Sequence, residues 1–163
     1  MKILSMKTTI FLGAMLSLLV CLMFTGCSNS ETNSTSRGLT DFAHIEEEYL
    51  ATIDSLNWPD GITLPDKLED EDTGASFQVG YGETRASYLW EYSWMKEWLD
   101  TYNTDPERAE KALEELEKAF DMPYMGIDRC DDATRNYLRE NIDKAKLGDP
   151  SGLTESIRAN YAN

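Results

Sequence analysis

Apolar residues recur every three or four positions in five stretches of the chain, which is the spacing of amphipathic helices. Residues that can cap a helix precede four of these stretches: Asp41, Asp105, Asp131 or Asp132, and Asp149. Proline directly follows Asp105 and Asp149, as expected at the first position of a helix. The predicted helices run from Phe42 to Leu56, from Glu83 or Thr84 to about Tyr102, from Pro106 to Phe120, from the Asp131–Asp132 cap to Ala145, and over a last short stretch that carries Leu153 and Ile157.

A short β element interrupts this helical pattern. Phe77, Val79 and Tyr81 alternate with smaller or polar residues, which predicts a strand. A lone strand would leave its backbone groups unpaired, and the extended piece 62–64 is the partner that we expect for it. The sequence therefore predicts a mainly α fold, a small bundle of four or five helices with a minor two-stranded β element, in an acidic domain over residues 41–163.

The first 26 residues have the composition of an export signal. Lys2 and Lys7 lie in an acid-free start, and residues 8–24 are uncharged and rich in large apolar side chains. The alternative is a transmembrane helix, but the run is slightly shorter than the roughly 20 residues that spanning needs. No Lys or Arg follows it before Arg37, so the charge that usually stops transfer is lacking.

The residues at the end of this segment, Phe24-Thr25-Gly26-Cys27, resemble the lipobox of bacterial lipoproteins. The resemblance covers about the first 30 residues and departs from the usual pattern at Phe24, where leucine is more typical. It implies cleavage before Cys27, a diacylglycerol on the Cys27 sulfur, and a location on the cell membrane or outer membrane, facing away from the cytoplasm. Two acyl chains would make such an anchor stable.

Residues 27–40 are predicted to be a flexible tether. Serine, threonine and asparagine dominate residues 28–36, which contain no apolar side chain that could join a core. We therefore expect this segment to hold the helical domain away from a membrane.

The charge of the chain excludes one class of partner. The chain carries 15 Lys and Arg against 30 Asp and Glu, and loss of Lys2 and Lys7 with the signal leaves 13 − 30 = −17. Nucleic-acid binders need a basic surface, so no nucleic-acid partner is expected. Cleavage would also remove Cys21, which leaves Cys130 without a partner for an internal disulfide, since Cys27 is expected to carry lipid.

Aromatic residues are concentrated around the second helix, and most are expected to fill the core. Trp90 lies off the main apolar stripe, so it either packs against a second layer or is exposed. Glu91 projects onto the aromatic face, where a buried carboxyl must be paired or protonated; a tyrosine hydroxyl, an indole N–H and an arginine are the expected partners. Trp58, Trp90 and Glu91 form the candidate interaction surface.

Catalytic and metal chemistry have little support. The acidic segments around Asp70 and Asp72 and around Asp131 lack EF-hand spacing, and Gly80-Tyr-Gly82 is a weak phosphate motif that serves a turn better. A single histidine, His44, leaves little from which to build a zinc site or a triad. The sequence thus predicts no cofactor, no metal ligands and no catalytic residues.

The leading hypothesis is a lipid-anchored, non-catalytic binding module of the cell envelope, with the membrane and an envelope protein or glycan as partners. The alternative is a carbohydrate- or peptidoglycan-binding or -cleaving module. Such a module would require a groove with exposed aromatic residues and two carboxylates roughly 5–9.5 Å apart.

Overall fold

The computed structural model of the chain describes residues 38–69 and 71–161. The predicted signal, Cys27 and the tether up to residue 37 lie outside the described residues. The prediction of a mainly α fold with a minor two-stranded β element is confirmed. The elements in chain order are β1 (Leu39–Thr40), α1 (Phe42–Ser55), β2 (Phe77–Gln78), α2 (Tyr81–Thr101), α3 (Pro106–Glu117), two short 3₁₀ turns (Lys118–Asp121 and Pro123–Met125), α4 (Asp132–Lys146) and α5 (Ser151–Asn160).

Three helices begin at the aspartates that the sequence pattern marks as caps. Asp41 accepts from the backbone N–H of His44, and Asp131 accepts from that of Thr134 at 2.7 Å. Asp105 caps α3 in the same way, with proline at the next position. A cap satisfies a backbone donor that the helix itself cannot, so these starts are fixed by local chemistry alone.

The β element forms with a different partner from the predicted one. β1 and β2 are antiparallel, with Leu39 opposite Gln78 and Thr40 opposite Phe77. The expected pairing with residues 62–64 is therefore wrong, and residues 39 and 40, which were assigned to the tether, form a strand. The composition of residues 38–40 does not indicate a strand, because strand pairing uses backbone groups. The Gly38 carbonyl accepts from the Val79 N–H at 3.0 Å, while the Leu39 side chain is exposed.

Helix α1 crosses the start of α2 at very close range. A β-carbon added to Gly82 would lie 1.8 Å from the carbonyl oxygen of Ile45, so only glycine fits at this crossing. The carboxylate of Glu48 accepts from the backbone N–H groups of Gly80 at 2.7 Å and Gly82 at 3.1 Å. The Gly-x-Gly motif thus serves helix packing, and an internal carboxylate occupies the N-terminus of α2, where an external anion would otherwise bind.

The second half of α2 lies in the main core with α3, α4 and α5. Trp90 and Trp94 both donate their indole N–H to the carbonyl of Asn57, at 2.8 and 3.2 Å. Trp58 packs against this core and also against the smaller cluster between α1 and the start of α2. Several elements surround α2, so more of its circumference is buried than one apolar stripe predicts.

Within residues 38–69 and 71–161, none of the helices combines the length and apolar character that crossing a bilayer requires.

A tyrosine-lined pocket as the candidate functional site

The structure separates the residues of the candidate interaction surface. Trp90 is 1% exposed and Glu91 is 7% exposed, while Trp58 is partly buried and donates its indole N–H to the Ile53 carbonyl at 2.9 Å. These three residues form no exposed patch, so that prediction is corrected. Trp90 lies off the apolar stripe because it packs against the chain that follows α1. Of the two alternatives left open by the sequence, packing against a second layer is therefore the one that forms.

Glu91 instead borders a pocket on the other side of α2. The pocket has a volume of about 260 Å³ and is formed by α2, the second 3₁₀ turn, α4, and α5 with the residue after it. Its lining residues are Tyr88, Glu91, Met125, Thr134, Tyr137, Leu138, Ser156, Asn160 and Tyr161. Small-ligand sites are commonly concave, mainly apolar and aromatic, with a few polar groups.

The Glu91 carboxyl group is held by two tyrosine hydroxyls. Tyr124 donates to Oε2 at 2.6 Å, and Tyr161 lies 3.5 Å from Oε1. Burial raises the pKa of Glu91 from 4.5 to about 7, and the two hydroxyls oppose this rise by stabilising the charged form. The predicted pairing with a tyrosine hydroxyl is therefore the one that forms.

Tyrosine rings provide much of the remaining wall. Tyr88 and Tyr137 are 46% and 40% exposed, and both line the pocket. The Tyr88 ring meets Tyr124 edge to face, with centroids 5.6 Å apart, and Tyr161 packs against Tyr92 at 5.1 Å. Burial and the nearby Glu91 raise the pKa of Tyr124 and of Tyr161, which keeps both hydroxyls protonated as donors.

The described residues that line the pocket include an acidic side chain and no basic one. Among the described residues that line the pocket, none is Lys, Arg or His, and Glu91 is the one carboxylate. A second carboxylate at the spacing that glycoside cleavage needs is therefore not among the lining residues. The arrangement supplies one buried acid, several aromatic rings and a few neutral polar groups.

The other candidate sites form no comparable arrangement. Within residues 38–69 and 71–161, no group of three or more His, Cys, Asp or Glu side chains could hold a metal ion. In the acidic segment, Asp70 lies outside the described residues, and Glu71 pairs with Arg85. Burial raises the pKa of the Cys130 thiol, which lowers its fraction of reactive thiolate at neutral pH.

Sequence reasoning did not identify Tyr124, Tyr137 or Tyr161 as parts of a site. These residues lie on a 3₁₀ turn, on α4 and just after α5, so only the tertiary fold brings them to Glu91. The one usable signal was Glu91 itself, because an acid on an apolar helix face requires donors from other elements.

Comparison with known proteins gave no match, whether to family models, to curated proteins or to solved structures.

Proposed function

We propose that this chain is a lipid-anchored, extracytoplasmic binding protein without catalytic activity, and that its ligand occupies the pocket beside Glu91. The anchor rests on the sequence of residues 1–27, with Cys27 as the attachment point. The binding site rests on one observation: a buried carboxyl group opens onto a concave surface walled by half-exposed tyrosine rings. Half-exposed aromatic residues around a concave polar site are a common feature of ligand recognition.

Binding is favoured over catalysis by the composition of the lining. Glu91 is the single acid or base among the described lining residues, apart from tyrosines. General acid–base chemistry uses a partner that takes or returns the proton, and glycoside cleavage uses two carboxyl groups. One carboxyl group with aromatic walls serves recognition without a chemical step.

Glycan binding is the second candidate function. The rings of Tyr88 and Tyr137 are exposed beside polar side chains, as at surfaces where sugars stack on aromatic rings. In this version of the proposal, a sugar of the cell wall would occupy the pocket and would not be cleaved.

Site-specific photo-crosslinking in living cells tests whether the pocket holds a ligand. A photoreactive phenylalanine derivative replaces Tyr137 in the full chain, and a matched chain carries it at Leu147, which is exposed at the end of α4 and does not line the pocket. After irradiation, the intact mass of each purified protein reveals any adduct.

A discrete adduct at position 137 that is absent at position 147, and that is lost when Glu91→Gln is added, supports a ligand site. Equal labelling at both positions, or none at either, overturns the assignment of the pocket as a ligand site.

A further inference from the structure

We propose that the ligand of the Glu91 pocket is a compact organic cation, a primary amine or a methylated ammonium group, whose charge pairs with the Glu91 carboxylate between the tyrosine rings. This inference rests on the proposed function, since it assigns a ligand class to the same site. Three features of the structure carry it: a buried acid whose described partners are neutral, half-exposed tyrosines in the pocket lining, and the charge of the surrounding protein.

In the part of the chain that the structure describes, the buried acid has no cationic partner. Its hydrogen-bond donors, the hydroxyls of Tyr124 and Tyr161, are neutral, and no Lys, Arg or His is among the described lining residues. A buried carboxylate is costly unless it is paired with a positive charge. A bound cation would supply that charge, whereas an anionic ligand would meet a carboxylate and no basic side chain in the lining.

The aromatic walls suit the same ligand. Tyr88, Tyr137 and Tyr161 all line the pocket, and the first two are half-exposed. A cation near the face of an aromatic ring is attracted by the ring quadrupole, and aromatic cages of this kind recognise methylated ammonium groups. A volume of about 260 Å³ has room for such a head group with part of its chain.

Neutral sugars fit the polar groups less well. The Asn160 side-chain amide already donates to the Ser156 carbonyl at 3.0 Å, and the Tyr124 hydroxyl is committed to Glu91. A sugar ring brings several hydroxyls that each need partners when buried. The excess of acidic over basic residues, 30 against 15, also raises the local concentration of cations over neutral ligands.

The protonation of Glu91 should make the affinity of the pocket for a cation depend on pH. The hydroxyls of Tyr124 and Tyr161, from other elements, lower the pKa of Glu91. The Glu91 charge in turn raises the pKa of Tyr88, on its own helix, and of Cys130, farther along the chain. The Glu91 pKa of about 7 means that a cation binds mainly to the ionised form and displaces a proton at lower pH. Affinity for a cation should therefore rise about 50-fold between pH 5 and pH 7, while affinity for a neutral molecule should not.

Choline and its neutral isostere 3,3-dimethylbutan-1-ol separate charge from shape. Binding of each to the purified full chain is followed by NMR of labelled tyrosine side chains, at constant ionic strength and at pH 5, 6 and 7. N-acetylglucosamine is the third probe. The detergent is a polyoxyethylene ether, which carries neither a cation nor a sugar.

We expect choline to bind at least about tenfold more tightly than the isostere, with the stated rise in affinity with pH. Glu91→Gln should remove this preference, and Tyr137→Leu should weaken choline binding without affecting the buried acid. Glu97→Gln is the matched control, since Glu97 lies on the same helix but pairs with Arg108 outside the pocket. It should bind choline like the unmodified chain.

Each other result has a defined meaning. Equal affinity for choline and its isostere, or binding of N-acetylglucosamine alone, overturns the cation assignment and leaves the pocket as a ligand site. Choline binding that Glu91→Gln and Tyr137→Leu both leave unchanged shows attraction to the acidic surface and also overturns it. If none of the three probes binds at millimolar concentration, the cation assignment fails, and photo-crosslinking decides separately whether the pocket holds another ligand. If Glu91→Gln does not fold, the isostere comparison and Tyr137→Leu decide the outcome.

Discussion

Tyr124 donates a 2.6 Å hydrogen bond to the Oε2 atom of Glu91, and both side chains are buried. The bond joins α2 to the short 3₁₀ turn 33 residues later in the chain. It places a carboxyl group at the edge of the pocket and fixes its orientation. A buried acid in a fixed position is both a liability for stability and a specific feature for recognition.

Replacing Tyr124 by phenylalanine should raise the pKa of Glu91 further and destabilise the fold. The change removes a donor that favours the charged form and leaves the carboxyl group with the longer contact to Tyr161. The free energy of unfolding should fall by about 1–3 kcal/mol, as measured by urea denaturation. Tyr81→Phe is the control: Tyr81 also donates to a carboxylate, Glu71, but Arg85 remains as a partner there, so a smaller loss is expected.

Glu91→Gln should reveal a pH-dependent cost of the buried acid. The pKa of Glu91 in the folded state, about 7, lies above its ordinary value of 4.5, so the folded state binds the proton more tightly. The protonated Glu91 side chain contributes fully to the free energy of unfolding below about pH 4.5. This contribution is lost as the pH rises through about 7, a change on the order of 3 kcal/mol. Relative to the unmodified chain, the variant should therefore gain stability between pH 5 and pH 8.

Urea denaturation of both chains at each pH measures this difference, and the comparison removes most of the effect of the other acids. A stability difference that stays constant from pH 5 to pH 8 would show that Glu91 does not titrate in this range.

Gly82→Ala should disrupt the crossing of α1 and α2. The added methyl group would overlap the backbone carbonyl of Ile45, which cannot move without shifting a helix. We expect a loss of about 2–3 kcal/mol or more in the free energy of unfolding. Gly74→Ala is a fair comparison, because its methyl group would meet only Asp72 Oδ1 at 3.4 Å. Similar stability of the two variants would argue against the close crossing.

Glu48→Gln should weaken the start of α2. Its carboxylate accepts from two backbone N–H groups at the positive end of that helix, at 2.7 and 3.1 Å. Loss of the charge should cost about 1 kcal/mol, with hydrogen exchange of the first turn of α2 as the most direct measurement. Glu47→Gln, one residue away and exposed, should leave that exchange unchanged.

Cys27→Ala should abolish lipid attachment. Metabolic labelling with a radioactive fatty acid should mark the unmodified chain and a Cys130→Ala control, but not the Cys27 variant. The variant should also lose its two-chain anchor and keep the apolar residues 8–24, since the lipobox that directs cleavage before Cys27 is destroyed. Absence of label from the unmodified chain would remove the basis for the proposed anchor.

The sequence predicts well those features that depend on neighbouring residues. Asp41, Asp105 and Asp131 each cap a helix through a donor three residues later, so short patterns were sufficient. The partner of β2 could not be read in this way, because backbone groups of residues 38–40 form the ladder and the side chains carry no signal.

The candidate site, too, is predictable only where neighbouring residues determine it. An acid on an apolar face indicated that Glu91 needs hydroxyl, indole or arginine donors. Which donors meet it depends on how α4, α5 and the 3₁₀ turn pack around α2, and helical periodicity does not contain that information. Periodicity left Trp90 open between a second layer and solvent for a related reason: a helix surrounded by several elements buries more than one stripe, and Trp90 is buried.

The shared carbonyl of Asn57 has a spectroscopic consequence. Trp90 and Trp94 are fully buried and hydrogen-bonded to the same oxygen, and no tryptophan is among the described residues that line the pocket. Indole emission therefore reports on the protein interior, while the side-chain signals of Tyr88, Tyr137 and Tyr161 report on the pocket. Ligand binding and global unfolding can be followed in one sample through two different chromophores.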